Sequence, residues 1–224
     1  MNHSLAPSAA PHNFEFDILD LGLIEYQRCY ARQQELVESV SLGRKKSALV
    51  LCEHLPVITL GRTAKKENIL KPLNELTSQG IAIAYVTRGG DVTLHVPGQL
   101  VVYPVFDLRL LGRDITAFLR NMEKAIILFL YDFGIAAKRK KGLTGVWVDE
   151  KKIASIGIAI RHWVTYHGLS VNIDCDLDLF SLLRSCGQDI MMASMKDFIG
   201  EDIDREKVKE GIVAKFRQVF CGGG

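Results

Sequence analysis

Arg88-Gly89-Gly90-Asp91-Val92-Thr93-Leu94-His95-Val96-Pro97-Gly98-Gln99 is the stretch on which the reading of this chain turns. Upstream, Ile81 to Val86 is β-branched and apolar, the pattern of a buried strand. Downstream, Leu100 to Phe106 is a second apolar run carrying Tyr103-Pro104. The chain therefore leaves a strand, passes a Gly-Gly pair, presents an Arg, a Thr and a His, and re-enters a sheet. Paired glycines permit φ > 0 or let backbone approach a ligand closely. No helix opens behind the run, which excludes a P-loop and a dinucleotide fingerprint.

Outward from that motif, Phe14 to Leu21 reads as a first strand and Ala48 to Cys52 as a central one. Between them Leu23, Tyr26, Tyr30, Val37 and Val40 keep a helical spacing that Gly43 ends. Asp114 is a good N-cap for a helix whose stripe is Ile115, Phe118, Leu119, Met122, Ile126, Phe129, Leu130 and Phe133, with Gly134 as the stop. A tight hairpin follows at Val146-Trp147-Val148 and Ile153, then a strand over Leu169 to Ile173. Val208, Ile212, Phe216 and Val219 mark a last helix. Strands outnumber helices and cluster in the middle. The expected fold is α+β, a central mixed β-sheet with packed helices, in one domain over residues 14–220. A flexible arm is expected over residues 1–13 and a flexible tail over 221–224.

At 224 residues, 48% hydrophobic and 24% charged, the chain can bury a core without disulfides or metal. A formal net charge of +2 gives no electrostatic case for nucleic acid. The longest apolar run, Ala125 to Leu130, is far short of the ~20 residues of a membrane span. The N-terminal stretch has no basic region followed by an apolar core, so no secretory signal is expected. Five scattered cysteines, with no CxxC pair and no zinc-ligand spacing, suit free thiols in the cytoplasm and a metal-free chain.

The full glycine string resembles the signature of the lipoyl(octanoyl) transferases. Two further segments are similar to that family's other blocks, in the same order. The second runs through Gly145-Val146-Trp147-Val148, Lys152-Ile153-Ala154-Ser155-Ile156-Gly157-Ile158 and Tyr166-His167-Gly168-Leu169-Ser170-Val171-Asn172. The third is Ser185-Cys186-Gly187 with Ser194 downstream. The resemblance implies a biotin/lipoate protein ligase-like catalytic domain. It also implies transfer of an octanoyl group from octanoyl-acyl carrier protein to a lysine of lipoyl domains. Those acceptors are subunits of 2-oxoacid dehydrogenases and the glycine cleavage H protein. No cofactor is implied beyond the carrier's phosphopantetheine, and a monomer is expected.

In that resemblance Cys186 is the acyl-thioester nucleophile and Lys152 the group that lowers its pKa and moves protons. The residues themselves agree. Cys29 falls in a helix and Cys52 in an apolar strand, where small buried hydrophobes belong. Cys175 stands between two aspartates, which raise a thiol pKa. Cys186 is in a polar loop after Arg184-Ser185, where reactive thiols sit. Lys151 and Lys152 lie at the hairpin turn, and Lys152 opens the returning strand. By strict alternation it shares a face with Ala154 and Ile156 and needs a partner there.

The resemblance gives the acyl channel to Arg88, Gly89, Gly90, Asp91, Val92, Thr93, Leu94 and His95, with Ser155, Ile156, Gly157, Gly168, Leu169 and Ser170. Small side chains at several of these positions leave room for an extended chain. Arg88 and His95 either orient a carbonyl or brace the loop. His54 reads as core and His167 as a sheet histidine satisfied by backbone. Leu94 replaces a residue that is often aromatic in the family, which puts channel shape in question. Ser185 replaces a frequent proline before the cysteine. The run Lys138-Arg139-Lys140-Lys141 is either a solvated turn or a dock for an acidic carrier. Two alternatives remain: an ATP-dependent lipoate–protein ligase on the same fold, and a non-catalytic acyl-binding module. Two glycines instead of three, and Val96 after the histidine, count against the ligase.

Overall fold

Ser47–His54 is buried along almost its whole length, because helices cover both faces of the sheet it runs through. The computed structural model describes residues 14–184, 190–200 and 202–222. Cys186 and the arm over residues 1–13 lie outside them. In chain order the elements begin with β1 (Phe16–Ile24), α1 (Tyr26–Ser41), β2 (Ser47–His54), β3 (Val57–Leu60) and α2 (Leu73–Ser78). Then come β4 (Ala82–Tyr85), β5 (Val92–His95), β6 (Gln99–Val105) and α3 (Ile115–Asp132). The C-terminal half holds β7 (Lys138–Lys140), β8 (Leu143–Val148), β9 (Lys151–Arg161), β10 (Val164–Asn172), α4 (Lys196–Ile199) and α5 (Arg205–Phe220).

The main sheet has the order β1-β2-β6-β10-β9-β8-β7. Only β1 and β2 pair in parallel, so the sheet is mixed as expected. A second, three-stranded sheet has the order β4-β3-β5. The sequence predicts one sheet for all these strands, and the chain forms two. Ile81 to Val86, expected as a buried strand, is instead a half-exposed edge, with Tyr85 open to solvent. Strand β3, which the reading did not mark, is the middle strand of this small sheet.

Asp114 caps α3 through a bond from Ala117 N–H at 2.9 Å, as its position foretold. The buried stripe of α3 packs with that of α5 on one face of the main sheet. In α5 the stripe continues at a spacing of four to Phe220, one residue beyond the expected Val219. Phe106 is the hub of this layer. Its ring meets Phe14, Phe16, Phe118, Phe216 and Phe220 at centroid distances of 4.9 to 6.5 Å. Cys221, expected as the start of a flexible tail, is half-buried against this layer.

On the opposite face α1 lays Cys29, Leu36, Val37 and Val40 against Val50, Cys52, Val101 and Tyr103. Its stripe begins at Tyr26 and not at Leu23. Leu23 is still in β1, opposite Glu53, because pairing with β2 outweighs the helical spacing.

The first three residues of the basic run form a strand and not a turn, with Lys138, Arg139 and Lys141 exposed. Lys138–Lys140 is the edge strand β7, and Arg139 donates to buried Glu123 of α3 at 2.9 Å. Glu123 is also bound by Arg120 at 2.7 Å and accepts from Gly145 N–H at 3.3 Å. A buried carboxylate must be paired, so this one residue ties α3 to β7 and β8. No described helix is long and apolar enough to cross a membrane.

Replacing Phe106 by alanine removes the ring on which five others pack. Phe106→Ala should lower unfolding free energy by about 3–5 kcal/mol, read as a fall in the urea midpoint at unchanged m-value.

Candidate active site

The glycine motif joins the two sheets. Arg88 leaves the small sheet buried, its guanidinium donating to Thr59 carbonyl at 2.7 Å, Thr59 Oγ1 at 2.8 Å and Gly89 carbonyl at 3.0 Å. These bonds brace the loop, and Arg88 also lies on the cavity wall. Gly89 N–H then donates to Ile158 carbonyl on β9 at 2.9 Å. The approach demands a missing side chain on the other strand: a Cβ on Gly157 would stand 2.9 Å from Gly89 carbonyl oxygen. Asp91, also buried, accepts from Lys65 N–H at 3.1 Å and from the Asn68 side chain, so its carboxylate holds the adjoining loop.

Between the joined sheets lies a cavity of about 650 Å³, in the range of small-molecule sites. Its wall includes Arg88 through Thr93, His95, Lys152, Ser155 through Gly157 and Gly168 through Ser170. Those are the channel residues expected from the sequence, with one exception. Leu94 is fully buried in the apolar core of the small sheet and takes no part in the wall. Alternation along β5 turns it away from its neighbours Thr93 and His95. Its departure from the family pattern therefore bears on packing and not on channel shape.

The wall also takes residues that the sequence did not mark. Tyr26, Tyr103, Trp147 and Ile190 come from four separate segments. Ile115 and Leu119 come from the start of the α3 stripe, where Ile115 is 43% exposed. The available signal was a stripe one turn longer than the packed core requires.

Two histidines on the wall, His95 and His167, are held neutral by burial. Burial, reinforced by His54 and then Arg88, pushes His95 down to about 3. Burial, with Arg88 second, does the same for His167, also to about 3. His167 is not the backbone-satisfied sheet residue expected. It sits at φ 56°, takes Tyr26 hydroxyl at 3.3 Å and Thr87 hydroxyl at 3.4 Å, and faces the cavity. His95 Nδ1 donates to Gln99 Oε1 at 3.1 Å. From there a chain of bonds runs through the sheet. Gln99 Nε2 donates to Asn172 Oδ1 at 2.9 Å, and Asn172 Nδ2 to Ala193 carbonyl at 2.9 Å. Ala193 N–H returns to Lys152 carbonyl at 2.9 Å.

Lys152 is 8% exposed, whereas Lys151 is open to solvent. The turn lies at Asp149 and Glu150, with Asp149 at φ 51°. Strict alternation fails here. Val146 pairs with Ala154, but Trp147 pairs with Lys152, leaving Ile153 as an extra residue. Paired residues share a face, so Lys152 stands with Trp147 and opposite to Ala154 and Ile156. Its Nζ is 5.2 Å from the Trp147 ring centroid, a cation–π distance. Gly145 makes the space: at φ 135°, a Cβ there would stand 2.7 Å from Lys152 Cε. The backbone of Lys152 also holds the strand after Cys186. Its N–H donates to Met191 carbonyl at 2.8 Å, and the two stretches meet in a parallel bridge at Met192. Before Cys186, Arg184 N–H donates to Asn68 carbonyl at 2.8 Å.

The model of the lipoyl protein ligase A/B catalytic domain matches residues 25–217. An octanoyltransferase of Syntrophotalea carbinolica is 39% identical over 205 residues, 91% of this chain and 94% of that one. One of Geobacter metallireducens is 40% identical over 200 residues, covering 89% and 91%. Among solved structures, a lipoate-protein ligase A bound with ATP superposes with a TM-score of 0.71 at 21% identity, covering 92% and 85%. A biotin protein ligase from Aquifex aeolicus reaches 0.54 at 11%, covering 91% and 70%. At those identities the solved structures speak for the fold, which is that of the lipoate and biotin protein ligases. The curated relatives go further, and the chain belongs to the octanoyltransferase family, built on the lipoyl protein ligase A/B catalytic domain.

Proposed function

We propose that this protein moves an octanoyl group from the thioester of an acyl carrier protein to a lysine amine of a lipoyl domain. Cys186 carries the group in between. The observation that supports this most is the anchoring of both ends of the segment around Cys186 to the cavity. Arg184 is tied through Asn68 to Asp91 of the glycine motif, and Met191 to Ala193 are tied to Lys152. A buried lysine beside a thiol favours the thiolate, which is the nucleophile.

The steps balance without ATP. Cys186 thiolate attacks the octanoyl carbonyl, the carrier's C–S bond breaks, and the departing thiolate takes a proton from the Lys152 ammonium. A neutral lysine amine of the acceptor then attacks the enzyme thioester. Lys152, now an amine, takes the proton lost as the amide forms, and Cys186 leaves as thiolate. The ion pair is restored, and a thioester has become an amide. Backbone N–H groups of the glycine loop are suited to hold the oxyanion of each tetrahedral intermediate. Apolar Ile115, Leu119, Ile156 and Ile158 supply wall for the alkyl chain. The neutral His95 and His167 are suited to shaping the cavity and not to supplying a cation. Carrier and acceptor both bring their own reacting group, so no further cofactor enters.

Mixed with octanoyl-acyl carrier protein, the full chain should gain one octanoyl mass on Cys186, and Cys186→Ser should not. An adduct on another cysteine, or acyl transfer only with ATP and free acid, overturns the reading. Lys152→Ala should lower kcat and kcat/KM together by roughly 10²- to 10⁴-fold and move the alkylation profile of Cys186 to higher pH. Lys151→Ala should do neither. Ser155, half-buried on the cavity wall, gives a test of the channel. Ser155→Leu should slow octanoyl transfer at least tenfold while a butyryl group still passes. Equal loss for both chain lengths would place the acyl group elsewhere.

A further inference from the structure

Among the described residues, one group of three metal-capable side chains gathers away from the proposed dyad. Cys29, Cys52 and His54 are all buried, and their donor atoms lie within 4.8 Å of one another. Spacing in the sequence hides this. Cys29 comes from α1, while Cys52 and His54 are two apart on β2 and so share the face that α1 covers. Nothing in the reaction proposed above uses them.

The distances have a meaning. The two Sγ atoms are 3.9 Å apart, and Cys52 Sγ is 3.6 Å from His54 Nε2. Zinc bonds of about 2.3 Å to sulfur and 2.0–2.1 Å to nitrogen give tetrahedron edges of ~3.8 Å and ~3.6 Å. A disulfide would need the sulfurs at about 2.05 Å, close to half their present separation. The imidazole is also set for a ligand. His54 Nδ1 donates to Ile24 carbonyl at 2.9 Å, so the proton is on Nδ1 and Nε2 is left as an acceptor, with Tyr103 hydroxyl at 2.8 Å and Cys52 Sγ at 3.6 Å. A backbone carbonyl holding the far nitrogen is the usual support of a metal-bound histidine. Tyr103 hydroxyl donates to Nε2 at 2.8 Å, a bond that a metal on Nε2 would replace, freeing the phenol oxygen for a fourth place. Gln33 Nε2 points at Cys29 Sγ from 3.8 Å and is placed to steady a thiolate.

Charge selects the ion. Two thiolates and a neutral imidazole around a divalent cation sum to zero, which a site closed to water tolerates. A monovalent cation would leave a buried negative charge. We propose that Cys29, Cys52 and His54 form a structural site for a thiolate-seeking divalent metal of the zinc type. Each thiol loses one proton as the metal binds. The site would pin α1 to β2 directly behind the cavity, since the His54 ring is 5.7 Å from that of His95 and Tyr103 lines the wall.

Cobalt(II) is the probe, added to the reduced full chain and, separately, present during its refolding, because a closed site can admit metal slowly. One equivalent should bind with a thiolate-to-cobalt charge-transfer band and the strong visible absorption of tetrahedral cobalt. Cys29→Ser and Cys52→Ser should each abolish the band, and Cys175→Ser and Cys186→Ser should keep it. Zinc should raise the melting temperature of the parent chain and leave that of Cys29→Ser unchanged. Cys29→Ala, checked by circular dichroism, repeats the test should serine prevent folding. Absence of the band in both native and refolded protein, or its survival in Cys29→Ser, overturns the proposal. A parent chain lighter by two hydrogens, with linked Cys29 and Cys52 peptides and no cobalt uptake after reduction, overturns it in favour of a disulfide.

Discussion

One backbone hydrogen bond, Gly89 N–H to Ile158 carbonyl at 2.9 Å, holds the glycine motif of the small sheet against β9 of the large one. The cavity lies between these two surfaces, which Thr87 also joins through its hydroxyl to Tyr166 and His167 of β10. The contact at Gly89 is possible only because position 157 has no side chain, and Arg88 secures it from within through three bonds to β3. A buried guanidinium so well satisfied is costly to disturb. Arg88 thus braces the junction while standing, with Gly89 and Gly90 beside it, on the cavity wall.

The irregularity in β9 matters as much as its regularity. From Ala154 to Arg161 the strand pairs residue by residue with β10. At Ile153 a bulge adds one residue against β8 and reverses the face of what precedes it. Without the bulge, Lys152 would share a face with Ala154 and Ile156. With it, Lys152 stands over Trp147 at the end of the cavity. Glu123 stabilises this corner from the far side by binding Arg139 and Gly145 N–H, and Gly145 supplies the space that the lysine stem fills. The strand end, the bulge and the buried ion pair form one mechanical unit.

Polar groups in the interior are connected and not scattered. The chain from His95 through Gln99 and Asn172 to Ala193 links the glycine motif with the backbone of Lys152. Every member is buried, and a fully satisfied buried network fixes a single arrangement where an apolar core tolerates several. The stretch from Met191 to Met195 thereby has its position set by two residues, Asn172 and Lys152, each through two bonds.

The sequence by itself determined the local pieces. The α3 stripe with its Asp114 cap, the central strands, the hairpin and the motif glycines were legible because each depends on a period, a cap or a turn within a few residues. The expected wall residues other than Leu94 were legible too, since the family resemblance preserves residue order, whereas Tyr26, Tyr103, Ile115, Leu119, Trp147 and Ile190 were not. Tertiary structure decided what depends on register between distant segments. It split the strands into two sheets, turned Leu94 inward and put His167 at positive φ beside the cavity. It also moved Lys152 to the face opposite Ala154, and brought Cys29 from a helix against Cys52 and His54 on a strand. None of these follows from spacing along the chain, because a single bulge or a helix crossing reverses which side chains meet while leaving every local pattern unchanged.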